Sequence, residues 1–253
     1  MSTSEVPPRG RKWNINVRAG TWDQAIFEGV IRGEYGRPQF AGKIVVDVGA
    51  HIGAFSVLAA LGGARRVLAF EAGADNYALL VRNCADFPAI ECRQAAVWRS
   101  DAAGGTLRWC PSTNPENTGG GTVLECEGIA GTALTATEAR DVPWVPFDDI
   151  VSALGIVDIL KIDAEGSEYP ILLTSRRLGQ VREIVGEYHE VTGLRPAMEI
   201  PGVPEWTMRH LGQHLAENGF SVKVRVKEHL GLFHATRRPP PDAEHAPAVP
   251  APV

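Results

Sequence analysis

The chain has 253 residues, 44% hydrophobic and 22% charged, enough for one sizeable α/β domain with its own core. Its net charge of −5 argues against a nucleic-acid partner, which favours a basic face. No apolar run approaches the roughly 20 residues of a membrane span, so no membrane partner is expected.

Met1 to Arg11 is polar, with Pro and Gly but no apolar signal-peptide core. Residues 1–20 are therefore expected to be flexible and the protein cytoplasmic. Trp22, Ile26, Phe27, Val30 and Ile31 fall at helical spacing. Thr21 to Gly33 thus reads as an amphipathic helix capped by Thr21, packed on a sheet edge or covering a pocket. Ile44 to Val48, a β-branched run broken only by Asp47, suits a strand buried on both faces of a parallel sheet. Gly49 and Gly53 follow, Ala54 to Leu61 reads as a helix, and Arg66 to Phe70 is a second strand ending in Glu71. Asp75 to Asp86 is a helix with Tyr77, Leu80 and Val81 inward, and Ile90 to Val97 is a third strand.

The middle departs from strand–helix alternation. Thr106 to Cys110 and Thr122 to Glu127 read as two strands around the Gly- and Asn-rich loop Asn114 to Gly121, which is a plain connection or a mobile flap. Val145 to Ile150 is a short strand entering a helix that ends near Gly155. Val157 to Ile162 is another buried strand, with Asp163 at its C-terminal end and Glu165 and Glu168 just beyond. Arg182 to Tyr188 brings Glu187, His189 and Glu190 to the same edge, where open α/β sheets bind ligands. A helix from Trp206 to Asn218 and two closing strands, Phe220 to Val226 and Leu230 to Thr236, complete the domain before a disordered Pro/Ala-rich tail, 237–253. Cys84, Cys92, Cys110 and Cys126 show no Cys-x-x-Cys spacing and read as thiols, not zinc ligands or disulfides.

The strand, glycine turn and helix at 44–61 present backbone N–H groups and a helix N-terminus to a ligand. A dinucleotide would call for Gly-x-Gly-x-x-Gly. Here His51 stands at the middle glycine's place, the spacing is Gly49-x-x-x-Gly53, and Asp47 would repel a pyrophosphate. An acid there suits the amino-acid part of S-adenosylmethionine, so the block resembles the Asp-x-Gly-x-x-x-Gly signature of class I methyltransferases. Glu71 is placed for a ribose diol, and Ala95 and Ala96 leave room for a flat adenine. A turn without a ligand is the plainer alternative.

Val46 to Gly53, Phe70-Glu71 with Asn76, Phe147-Asp148-Asp149 and Leu160 to Glu168 together resemble the FkbM family of S-adenosylmethionine-dependent methyltransferases, from about Trp22 to about Thr236. The most specific piece is Lys161-Ile162-Asp163-Ala164-Glu165-Gly166-Ser167-Glu168. The family's Phe-Glu-Pro is here Phe70-Glu71-Ala72, which alters the loop after the ribose contact. The resemblance implies a single Rossmann-like domain over 21–236, with a seven-stranded, mostly parallel sheet, an antiparallel last strand and helices on both faces. It implies S-adenosylmethionine held by Asp47, Gly49, Ala50, His51, Gly53, Glu71, Ala72, Asn76, Ala96 and Asp163. It also implies methyl transfer to a hydroxyl on a small molecule such as a sugar or polyketide. N-methylation, a nicotinamide-dependent oxidoreductase and a non-catalytic binding domain are the alternatives; oligomeric state stays open.

A hydroxyl needs a base as the methyl arrives. His189 is the first choice on its ordinary pKa, with Asp163 and Glu187 as the other candidates; a structural histidine bonded to a carboxylate is the competing reading. Asp163, Glu187 and His189, with Glu165 and Glu190, could instead hold magnesium or manganese. Glu168 is expected to serve its helix N-terminus, and Lys161 to pair with a nearby carboxylate.

Overall fold

The structure, a computed structural model, describes residues 15–124, 139–191, 198–227 and 229–239. The N-terminal segment to residue 14, Cys126 with the end of the Thr122–Glu127 strand, and the tail from residue 240 lie outside the described residues.

In chain order the strands are β1 (Ile44–Val48), β2 (Arg66–Glu71), β3 (Ile90–Gln94), β4 (Ala96–Trp98), β5 (Gly105–Trp109), β6 (Arg140–Pro146), β7 (Val157–Ile162), β8 (Val181–His189), β9 (Phe220–Lys227) and β10 (Leu230–Arg237). The helices are α1 (Asp23–Arg32), α2 (Ala54–Leu61), α3 (Ala74–Cys84), α4 (Phe147–Leu154), α5 (Glu168–Leu173) and α6 (Met208–Glu217). Seven strands form one sheet in the order β3-β2-β1-β7-β8-β10-β9. β10 pairs antiparallel with both neighbours, and the remaining pairings are parallel. Alternate residues of the central strands face opposite cores. Val45 and Ile159 pack with Tyr35, Phe40 and Phe55, whereas Val46, Val48, Leu160 and Ile162 pack with Phe70, Tyr169 and Trp206. Both faces are covered, which explains why these strands read as continuous apolar runs. The strand order turns back between β1 and β7, where Val48 pairs with Ile162, and a crevice opens beyond those ends.

Several sequence expectations need correction. Ile90 to Val97 is not one strand. The polar, half-exposed β3 closes the sheet edge, and at Ala95, whose N–H is shared between the Glu71 and Arg93 carbonyls at 3.1 Å each, the chain leaves it. The buried β4 then joins a second, three-stranded sheet, β4-β6-β5. β5 finds its partner in β6 and meets the Thr122 segment only at the Cys110–Thr122 bridge. Thr21 is not the cap of α1. Trp22 holds that position without a side-chain bond and is 44% exposed, while the Thr21 hydroxyl accepts the Asp23 N–H at 3.3 Å. Val81 faces outward on α3, while Leu80 is buried as expected. β8 runs one residue further than expected, so His189 is anchored in the sheet opposite Leu230. Trp206 precedes α6 rather than starting it, is fully buried and stacks on Tyr169 with ring centroids 5.9 Å apart.

Candidate active site

A cavity of about 320 Å3 lies at the carboxyl edge, beyond the ends of β1, β2, β7 and β8, at the lower end of the range for small-ligand sites. Gly49 leaves β1 with φ +72°, and a Cβ there would stand 1.8 Å from the Asp163 carbonyl oxygen. Only glycine lets the two loops pass this closely. The N–H groups of Gly49 and Ala50 donate to Phe70 O at 3.1 and 2.9 Å, tying the turn to β2. Glu71 accepts the His51 N–H on Oε2 and the Gly73 N–H on Oε1, both at 2.8 Å. A carboxylate has about four acceptor positions, so room is left for a diol.

Of the residues assigned to the cofactor from sequence, Gly49, Ala50, His51, Glu71, Ala72, Asn76, Ala96 and Asp163 come together in the cavity wall. Asp47 and Gly53 stand behind it. Asp47 is fully buried, accepts the Ser56 hydroxyl at 2.7 Å and lies 3.3 Å from Lys161 Nζ. Gly53 makes space for Leu80 of α3, which a Cβ would approach to 2.9 Å. Lys161 Nζ also donates to Gly49 O at 2.6 Å, so this buried cation holds the turn from beneath; burial opposes its charge, and Asp47 and Asp163 more than restore it.

The cavity is roofed by α1, which takes the pocket-covering place that was one of its two sequence readings, and by the Asn114–Gly121 loop together with Trp109. Trp22, Ile26 and Val30 of α1 line one side, and Trp109, Asn117, Gly119 and Gly121 the other. Their hub is Asp23, fully buried, which accepts from Arg18 Nε and Nη2 at 2.9 Å each and from the Thr118 hydroxyl at 2.6 Å. Arg18 Nη2 also donates to Asn76 Oδ1 at 2.8 Å, and Asn76 Nδ2 to Thr118 O at 2.9 Å. His51 Nε2 lies 3.4 Å from Asp23 and 2.9 Å from the Thr118 hydroxyl. Burial alone would raise the Asp23 carboxyl, yet these donors hold it well below the usual range. No periodicity marks a polar hub assembled from four separate segments, and this one left no sequence signal.

The far end is acidic. Asp163, Glu165, Glu187 and His189 all line the cavity. Tyr35, unforeseen in the sequence, donates its hydroxyl to Asp163 Oδ2 at 2.6 Å. Burial pushes Asp163 up, but Lys161, His189 and the Tyr35 hydroxyl bring it below the ordinary value. Burial pushes Glu165 up to about 8, with Asp163, Glu168 and Glu187 adding and His189 opposing. Burial and then Asp163 push Glu187 up to about 7. His189 sits 3.5 Å from Glu165 Oε2 through Nε2 and 3.5 Å from Glu168 Oε1 through Nδ1. Burial disfavours its charge, but these carboxylates overcome that and hold it protonated well above 6.5. Glu168 itself accepts the Ala164 and Gly166 N–H groups at 2.6 and 3.0 Å, bracing the loop before α5.

A pH dependence follows. Both glutamates have folded values raised above the unfolded 4.5, so the stability they contribute is complete below that value and is lost as pH rises through about 7 and about 8. Urea unfolding across that range should show falling stability, and Glu165→Gln should flatten the fall. Stability that climbs with pH there would contradict these assignments.

A parallel sheet with this strand order, a glycine turn at the switch point and an acid ending β2 define a class I methyltransferase fold. The methyltransferase FkbM domain matches residues 47–222, and the chain belongs to that family. That family is one of S-adenosylmethionine-dependent methyltransferases. Among solved structures, methyltransferase FkbM from Methylobacillus flagellatus KT is 16% identical, aligned over 79% of this chain and 44% of that one with a TM-score of 0.47. A putative S-adenosylmethionine-dependent methyltransferase from Listeria monocytogenes is 14% identical over 87% of this chain and 99% of that one, TM-score 0.45. A probable histone-arginine methyltransferase 1.4 of Arabidopsis thaliana is 46% identical over 56 residues, 22% of this chain and 9% of that protein. This chain thus spans only a small part of that relative. Among the described residues, no helix is long and apolar enough to cross a membrane.

Proposed function

We propose that the chain methylates a hydroxyl of a small molecule, of the sugar or polyketide kind that the family resemblance implies, with S-adenosylmethionine along the Gly49–Glu71 side and the acceptor against Asp163, Glu165 and Glu187. One observation carries this reading: Glu165 and Glu187, two cavity-wall carboxylates, hold their protons into the neutral range beside an ionised Asp163. Glu71 ends β2 and Glu187 lies near the end of β8, three strand spacings or about 14 Å away, which leaves length for a cofactor and an acceptor in line.

When bound, the cofactor supplies an electrophilic sulfonium methyl, and the C–S electron pair leaves with sulfur as the C–O bond forms. The protein's share is alignment and proton acceptance. His189, already protonated between two glutamates, is unsuited to take the acceptor's proton; it balances their charge instead. A carboxylate of Glu187 or Glu165 takes the proton as oxygen attacks. Cytoplasmic action suits the buried thiol of Cys84, which stays reduced there.

The test is transfer of a labelled methyl group to a panel of small polyols and amines across pH. Hydroxyl acceptors should be labelled, and activity should rise with pH through about 7 to 8. Removing the base through Glu165→Gln or Glu187→Gln should lower kcat on the order of 100-fold. Labelling of amines alone would replace this reading with N-methylation.

A further inference from the structure

The acidic end of the cavity has geometry that methyl transfer by itself does not require. Glu187 and His189 are two residues apart on β8 and so project to the same side of the strand. Ile162 pairs with Gly186 in the adjacent parallel strand, so Asp163 emerges from β7 next to Glu187. One ligand atom from each of Asp163, Glu187 and His189 lies within 4.8 Å of the other two. Around a hexacoordinate ion with bonds of about 2.1 Å, neighbouring ligand atoms stand about 3.0 Å apart and opposite ones about 4.2 Å, so the three side chains must draw in by up to about 2 Å to share one ion.

A second, independent observation concerns unmet bonding. His189 is 7% exposed, and its Nδ1 is buried with no hydrogen-bond partner; the nearest carboxylate oxygen stays 3.5 Å away. Among the described residues the Glu187 carboxylate has neither a hydrogen bond nor an ion pair, although it faces the cavity. Five carboxylates, Glu34, Glu71, Asp163, Glu165 and Glu187, line the cavity, and Lys161, the lysine among its lining residues, is committed to Gly49 O and Asp47. The Tyr35 hydroxyl fixes Asp163 through Oδ2 and leaves Oδ1 available, the kind of outer support that ligating carboxylates have.

We propose that Asp163, Glu187 and His189 bind one divalent cation of the magnesium or manganese class at the acceptor end of the cavity. Two carboxylates and one imidazole suit such an ion and leave coordination positions for water and an acceptor oxygen; His189 must give up the proton it holds in the metal-free site, so binding releases a proton. A hydroxyl on the ion loses its proton more easily, and Glu165, outside the ligand set, is the carboxylate left to receive it. This rests on the hydroxyl-transfer reading above.

The test uses the full chain freed of metal by EDTA and titrated with Mn2+, with unbound Mn2+ followed by electron paramagnetic resonance. S-adenosylhomocysteine binding is measured in parallel by calorimetry without metal. One Mn2+ per chain, displaced by Mg2+ and weakened at least about tenfold by Asp163→Asn and by Glu187→Gln, is expected. Glu187→Gln should keep its affinity for S-adenosylhomocysteine, which shows that the variant is folded. Protein that binds S-adenosylhomocysteine but no Mn2+, or that binds Mn2+ equally well in both variants, overturns the cation site. Wild-type protein that binds Mn2+ but not S-adenosylhomocysteine would instead overturn the methyl-transfer reading.

Discussion

Gly49→Ala is expected to destabilise the domain by roughly 3–5 kcal/mol and to abolish cofactor binding. Two costs add. At φ +72° an alanine sits in the left-handed region, and its Cβ would stand 1.8 Å from the Asp163 carbonyl oxygen and 2.9 Å from its carbon. The obstacle is backbone at the end of β7, so no side chain can swing away. Relief would have to separate the β1 and β7 loops, which between them carry Ala50, His51, Asp163 and Glu165. Urea unfolding and calorimetry with S-adenosylhomocysteine read the two effects. A variant within about 1 kcal/mol of wild type that still bound the ligand would show that the turn is not as drawn.

Lys161→Met should cost about 3–5 kcal/mol, because it leaves Asp47 fully buried with its charge uncompensated. Ser56 would still donate to Asp47 Oδ2, but Oδ1 has no hydrogen bond to replace the cation 3.3 Å away. The carbonyl of Gly49 loses its 2.6 Å donor at the same time. Adding Asp47→Asn should recover at least about 1 kcal/mol, since the pair is coupled. Thermal or urea unfolding of the two singles and the double completes the cycle. Strictly additive losses would mean that Lys161 and Asp47 do not act on one another. On this account Asp47 shapes the cofactor turn through Lys161 and Ser56, without standing in the cavity wall.

The parts of the domain visible in the sequence were those with a local cause. β1 and β7 are apolar runs buried on both faces, and Glu71 closes a strand; each leaves a mark within a few positions, while Gly49 was visible by its spacing from Asp47 and Gly53 although its steric need comes from Asp163. The second sheet was hidden because β4 follows β3 after a single residue, and nothing in Ile90 to Val97 says that the chain changes partners at Ala95. The two pieces of the roof were legible, but the polar hub that joins them was hidden for another reason. Arg18, Asp23, Asn76 and Thr118 meet only through tertiary structure, and Asp23 on a helix reads as an ordinary first-turn acid. His189 was visible as a residue but not as a charge state. Its ordinary pKa suggested a base, whereas Glu165 and Glu168, more than twenty positions earlier, hold its proton in place.

Calorimetry of S-adenosylmethionine, S-adenosylhomocysteine and NADH, each titrated into wild-type protein and a Glu71→Ala variant, tests most directly whether the cavity beside Glu71 holds the methyl donor. The account predicts that both sulfur ligands bind the wild type, that NADH does not, and that the variant loses at least about tenfold in affinity, the value of one hydrogen bond to a charged group. Binding of NADH alone, or sulfur-ligand affinity indifferent to Glu71, would contradict it.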